Sequence, residues 1–125
     1  MQKIKRLPDA ELVVMQEVWN APEIPVLSTW IIGQLKDQWK PTSILTFLSR
    51  LCEKGFLECE KQGKVNAYTP LIDEEAYRSH ESVSFLQRFY RGSVRDLVAS
   101  LSGTGDLTGE DLEELRDFLN QQRRD

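Results

Sequence analysis

The chain has 125 residues and a mass of 14.5 kDa, room for one ordinary domain or for a small domain with an appendage. Apolar residues make up 40% and charged residues 29%, and seven Gly with five Pro are too few for a collagen-like or low-complexity chain. No apolar run approaches the ~20 residues a helix needs to cross a bilayer. The basic start, Met1 to Arg6, runs into Leu7-Pro8-Asp9 and not into an apolar stretch, so it lacks the anatomy of a signal peptide. The expectation is a cytoplasmic protein whose two cysteines, Cys52 and Cys59, are reduced thiols.

The residue inventory also narrows the chemistry. The two cysteines are seven positions apart, and the single histidine, His80, lies 21 positions beyond Cys59, a spacing unlike a zinc finger or a thioredoxin motif. His80 sits in the polar run Tyr77-Arg78-Ser79-His80-Glu81-Ser82 and reads as a solvated helix residue. There is no GxGxxG, P-loop or HExxH pattern. The expectation is a protein that is not an enzyme, with no cofactor, no metal and no small-molecule substrate. The net charge of −4 conceals an asymmetry: residues 1–72 carry nine Lys/Arg and eight Asp/Glu, whereas residues 73–125 carry seven Arg and twelve Asp/Glu. That near-neutral first part does not by itself point to nucleic acid, because what counts is the face that meets the phosphates.

In chain order, the first helix is expected over about Pro8 to Asn20, with Leu12, Met15 and Val18/Trp19 on its buried stripe and Asp9 and Glu11 favouring its N-terminus. Asn20-Ala21-Pro22 stops it, and a linker with two prolines, Pro22 and Pro25, follows. Ser28 is expected to cap a second helix, about Thr29 to Trp39. Lys40-Pro41 breaks that helix, and Thr42 or Ser43 opens a third that runs to about Lys54. Ile44, Phe47, Leu48 and Leu51 form its core stripe, and Ser43, Thr46, Ser49 and Arg50 its opposite face. Gly55 suits the left-handed residue that ends a helix.

After Gly55 the period changes to two. Phe56 to Lys61 reads as a strand, Gln62-Gly63-Lys64 as a turn, and Val65 to Thr69 as the returning strand, closed by Pro70. Three short helices followed by a β-hairpin make a winged helix-turn-helix, in which helices two and three form the helix-turn-helix and the hairpin is the wing. Cys52 is expected half-buried on the third helix and Cys59 on the wing strand. Neither has a neighbouring cluster of cations that would lower a thiol pKa.

From Asp73 the pattern is helical again. One helix runs through Phe85, Leu86, Phe89 and Tyr90 to the Gly92-Ser93 break. A second, about Val94 to Ser102, carries Leu97, Val98 and Leu101, and Gly103 to Asp106 is a loop. Thr108 with Asp111 three residues on resembles a capping box, and the last helix carries Leu112, Leu115, Phe118 and Leu119. The fold class is therefore mainly α with a small β-hairpin: a winged-helix domain over residues 1–72 and an α-helical dimerisation domain over residues 73–125. The tail is too short and acidic for a good core of its own, so its apolar stripes are expected to pack against a second copy, through Phe85, Leu86, Phe89, Leu97, Val98, Leu101, Leu112, Leu115, Phe118 and Leu119.

The run Thr42 to Leu57, the pair Gly63-Lys64 and Tyr68-Thr69-Pro70-Leu71 resemble the recognition helix and wing of the BlaI/MecI/CopY (penicillinase repressor) family. Leu7, Ala10-Glu11, Val14-Met15 and Val18-Trp19 are similar to its first helix, and Phe85-Leu86, Phe89, Gly92 to Val94, Leu97-Val98, Leu107-Thr108 and Glu113 to Leu115 to its dimerisation region. The resemblance implies a homodimeric repressor of a dyad-symmetric double-stranded DNA operator. In the β-lactam branch it further implies a membrane sensor-protease that triggers cleavage of the C-terminal region. That cleavage point aligns at about Ser100-Leu101, where the family pattern is Asn followed by Phe. The copper-responsive branch relies on a terminal cysteine-rich motif, and no cysteine follows Cys59 here.

On this layout the N-terminal part of the third helix enters the major groove, with Thr42, Ser43 and Thr46 as short donors and acceptors. Leu45 stands where relatives often have Arg or another polar residue. It is either a thymine-methyl contact or an ordinary, partly exposed side chain. Arg50 and Lys54 meet phosphate or a neighbouring carboxylate, and Lys40 reaches the backbone. The amides near Ser28-Thr29 can bind a phosphate, and Lys61 and Lys64 serve the wing. The alternative function is a winged-helix protein-interaction module without sequence-specific DNA binding.

Overall fold

Pro8, at φ −59° and ψ 156°, sends the chain into its first helix in an extended conformation, and its carbonyl accepts the first helical bond, from Leu12 N at 2.9 Å. In the computed structural model, which describes residues 4–123, the elements follow as α1 (Asp9–Asn20), β1 (Val26–Leu27), α2 (Ser28–Leu35), α3 (Pro41–Glu53), β2 (Leu57–Gln62), β3 (Val65–Pro70), α4 (Glu74–Tyr90), α5 (Val94–Thr104) and α6 (Gly109–Gln122). The basic start Met1 to Lys3, and Arg124-Asp125, lie outside the described residues. The chain forms two compact units that divide between Glu81 and Ser82.

The first unit is a winged helix: α1 to α3 pack on a three-stranded antiparallel sheet of order β1-β3-β2. Its core is Val14, Met15 and Val18 of α1, Ile31 and Leu35 of α2, Ile44, Leu48 and Leu51 of α3, and Phe56, Leu57 and Tyr68. Each large apolar side chain so enclosed is worth about 1.5–3 kcal/mol relative to exposure. α3 ends in a Schellman arrangement. Gly55 takes φ +83°, its N–H donates to Cys52 O, and Phe56 N donates to Leu51 O at 2.9 Å, which carries the chain directly into β2. The hairpin turns at Gly63, φ +66°, where a side chain would be strained.

Several local expectations shift. The buried stripe of α1 is Glu11, Val14, Met15 and Val18, while Leu12 and Trp19 are only half-buried. α2 begins at Ser28 itself, which is buried. Leu27 is the N-cap, and no side chain caps the helix. α2 also stops at Leu35 and not at Trp39, because residues 36–38 form a turn that lets the Trp39 ring stand edge-on to Phe47 of α3, centroids 5.4 Å apart. α3 starts one residue before Thr42, with Lys40 as N-cap and Pro41 at the first position, where its missing N–H costs nothing. Strand β1 has only two residues, paired as Val26↔Tyr68 and Leu27↔Ala67. Two residues are too few to show a period of two, so no pattern announces it.

Tyr77, near the start of α4, belongs to the core of the first unit. Its hydroxyl accepts a hydrogen bond from Leu7 N at 2.9 Å, and its ring lies 5.8 Å from that of Trp19 and 5.5 Å from that of Phe56. Trp19 Nε1 in turn donates to Ile72 O. The boundary drawn in the sequence at residues 72/73 thus falls ahead of a residue that completes this core.

The second unit holds the end of α4, then α5 and α6. Ser93 caps α5 by accepting from Asp96 N at 3.1 Å, and Gly105, φ +81°, closes it after Thr104, so Gly103 is helical and not in the loop. Thr108 and Asp111 form the expected capping box of α6: Thr108 Oγ1 accepts from Asp111 N, and Asp111 Oδ2 accepts from Thr108 N. No described residue of this unit is fully buried.

Candidate nucleic-acid interface

α3 is strongly two-faced. Ile44, Leu48 and Leu51 are wholly enclosed, whereas Thr42, Leu45, Thr46, Ser49 and Arg50 are exposed and Ser43 is half-buried. The exposed face therefore presents two hydroxyls in its first two turns, from Thr42 and Thr46, with Leu45 beside them at 38% exposure. Thr46 Oγ1 donates to Thr42 O at 3.0 Å, which leaves its oxygen free to accept. Lys40 stands exposed at the N-cap of the same helix.

α2 adds the uncapped amides of its first turn. The Ser28 hydroxyl is buried and Thr29 is exposed, so any anion there would meet Thr29 and backbone N–H groups. On the wing, Lys61 lies near the end of β2 and Lys64 in the turn, both exposed. Thr42, Leu45, Thr46 and Lys40 share one helix end; Lys61 and Lys64 share the hairpin tip.

Arg50 and Lys54 resolve differently. Both face Glu11 of α1, a carboxylate with only 4% of its side chain exposed. Lys54 Nζ donates to Glu11 Oε1, and Arg50 Nη1 lies 4.0 Å from Oε2. Glu11 was read in the sequence only as a favourable charge at the start of α1. The signal was present: Glu11, Val14, Met15 and Val18 share one helical face, so a carboxylate stood on the buried stripe, and Arg50 and Lys54 offered cations at i, i+4. The net effect is that α3 keeps little uncompensated positive charge at its C-terminal end.

Cys52 is half-buried on α3 and Cys59 exposed on β2, both free thiols, as expected. Burial, then the neighbouring Cys59 and Glu53, pushes the Cys52 thiol up from its ordinary range. Burial likewise raises Tyr68, against a hydrogen bond from Asn66 Nδ2 at 3.3 Å that lowers it.

Residues 7–121 match the family model described as Penicillinase repressor. The chain belongs to the penicillinase repressor family. Among its relatives, the penicillinase repressor of Bacillus licheniformis is 38% identical over 125 residues, covering 98% of this chain and 96% of that protein. The methicillin resistance regulatory protein MecI of Staphylococcus aureus (strain N315) is 29% identical over 119 residues, 95% and 97% of the two chains. Among solved structures, that of the DNA binding domain of the repressor BlaI is 42% identical, with a TM-score of 0.53. It covers 62% of this chain and 94% of that domain.

In this family member the residues read as a dimer interface fall on three helices. Phe85, Leu86 and Phe89 lie on α4, Leu97, Val98 and Leu101 on α5, and Leu112, Leu115, Phe118 and Leu119 on α6. Phe89 at 62%, Phe118 at 54% and Leu119 at 50% exposure are the most open of these, and the Phe85 and Phe89 rings lie tilted by 41° with centroids 4.9 Å apart. Leu86, Leu97, Val98 and Leu115 are half-buried. Ser100 and Leu101, where the family resemblance leads one to expect cleavage, lie within α5 and are exposed.

Proposed function

We propose that the chain is a cytoplasmic, homodimeric transcriptional repressor that binds a dyad-symmetric operator in double-stranded DNA. α3 enters the major groove with Thr42, Ser43, Leu45 and Thr46 towards base edges. Lys40, Thr29 with the first amides of α2, Lys61 and Lys64 contact phosphates. Arg50 touches phosphate only at the expense of its Glu11 contact. The observation that carries the reading is the exposed hydroxyl-bearing face of α3 in a winged helix 42% identical to the DNA binding domain of the repressor BlaI. Among the described residues no helix is long and apolar enough to cross a membrane.

The second unit supports the homodimer. Four aromatic or aliphatic side chains, Phe85, Phe89, Phe118 and Leu119, stand 41% to 62% exposed on it, and the end of α4 with α5 and α6, in which no described residue is buried, is a poor independent core. Linking two heads raises the effective concentration of the second into the millimolar range, so half-sites ~34–36 Å apart or a multiple of that are read together. Cleavage at Ser100-Leu101, triggered by a membrane sensor-protease, is the inducing event in this reading; because the bond lies inside α5, cutting follows local opening of that helix.

The deciding measurement is operator affinity of the full chain as a function of salt. A slope of several counterions is expected, and Lys64→Ala is expected to flatten it by about one. Salt-insensitive binding would instead mark a protein-interaction module.

A further inference from the structure

Both cysteines of the chain line one cavity. It has a volume of about 250 Å³ and is walled by Leu45, Ser49 and Cys52 of α3, Cys59 of β2, and Asn66 and Tyr68 of β3. Cys59 is the register partner of Tyr68 across the β2–β3 ladder, and Asn66 holds the Tyr68 hydroxyl. Two free thiols thus border one space from a helix and from a strand, beside Leu45, Ser49, Asn66 and Tyr68, and neither thiol is assigned a part in the interface above.

We propose that this cavity is a dithiol site that takes a soft, two-coordinate metal cation between the sulfurs of Cys52 and Cys59. The ligand set selects the class. Thiolates prefer soft cations. A structural zinc ion requires four ligands, and calcium six to eight oxygens. Among the described residues no group of three or more His, Cys, Asp or Glu side chains is placed to hold a metal ion. Binding is balanced without electron transfer: two S–H bonds release their protons to solvent, two sulfur–metal bonds form, and the cation sheds two water or chloride ligands. The same surroundings disfavour oxidation, because a thiol pushed up by burial is a poor nucleophile towards a peroxide at neutral pH. A strongly bound soft cation still displaces the protons, and its uptake strengthens as pH rises.

Leu45 and Ser49 lie on the α3 face assigned to DNA, and Cys59 and Asn66 on the wing, so the consequence for DNA rests on the function proposed above. A cation held by both sulfurs clamps the helix to the wing and changes the spacing with which the two meet the duplex. Loaded protein therefore releases its operator.

The test titrates the reduced full chain with mercuric chloride in the presence of a competing monothiol, following thiolate-to-mercury absorption and mass by native spectrometry. One equivalent per chain is expected. Cys52→Ser and Cys59→Ser are each expected to lose roughly 100-fold in affinity, the advantage of two tethered ligands over one. Cys59 is exposed, so C59S reads the site even where C52S disturbs the core. Uptake of two equivalents, or single variants that keep one equivalent as tightly as the intact chain, overturns the site. Operator affinity of the loaded wild type should fall about tenfold or more while C59S does not respond. An unchanged affinity overturns the clamp. If the metal-free chain binds no DNA at all, the proposed function fails, and the mercury stoichiometry still decides the dithiol site.

Discussion

At the scale of single residues, Glu11 joins α1 to α3. It is almost fully enclosed, while Lys54 keeps a quarter of its side chain in solvent and Arg50 more than half. Such a group stabilises only while its partners remain, because an enclosed carboxylate without them bears its full desolvation cost. Glu11→Ala removes the acceptor but lets Lys54 turn outward. The expected loss is about 1–3 kcal/mol in denaturant unfolding. Replacing both members, Glu11→Met with Lys54→Met, is expected to recover most of it, and a double variant no better than Glu11→Ala would show that the pair contributes through packing instead. The charge of Glu11 was legible in the sequence; its partners were not, since they lie 39 and 43 positions away and meet only when α1 packs on α3.

At the scale of elements, the capping box of α6 was legible because it is local. Thr108 and Asp111 are three residues apart, and each bonds the other's backbone without help from elsewhere. Hydrogen bonds from Thr108 hold the Asp111 carboxyl below its ordinary range. A lowered folded pKa contributes stability above the unfolded value and loses it as pH falls through the folded one. The first turn of α6 should therefore fray below about pH 4, seen as faster amide exchange at Asp111 and Leu112, and Asp111→Asn should remove that pH dependence. Exchange in the variant that tracks pH as in the wild type would mean another group holds the turn. By contrast β1 and the early end of α2 escaped the sequence reading, because each is set by a partner outside its own element: β3 for β1, and Phe47 of α3 for the segment ending in Trp39.

At the scale of the whole molecule, the first unit has a complete core and the second has none among its described residues. That contrast is why dimerisation and DNA binding are coupled in the proposed function. Phe89→Asp with Phe118→Asp places two charges on the two most open aromatic positions of the second unit. The doubly substituted chain should sediment as a monomer and lose operator affinity by a factor of roughly 10²–10⁴, the benefit of tethering two heads. Its first unit should keep its cooperative unfolding. A variant that stays dimeric, or a monomer that binds as tightly, removes the link between the tail and DNA.

The order of helices and hairpin, the polar face of α3, the glycines at 55 and 63 and the capping box were all determined by the chain alone, because each depends on residues within a few positions of one another. Tertiary structure decided what those elements enclose. It turned α1 so that Glu11 faces Arg50 and Lys54, drew Tyr77 of α4 into the core against Leu7 and Phe56, and brought Cys52 and Cys59 to one cavity. A periodic pattern states which side of an element is apolar, but the rotation that brings a given side chain to a partner across the core emerges only when the packed elements compete for the same space.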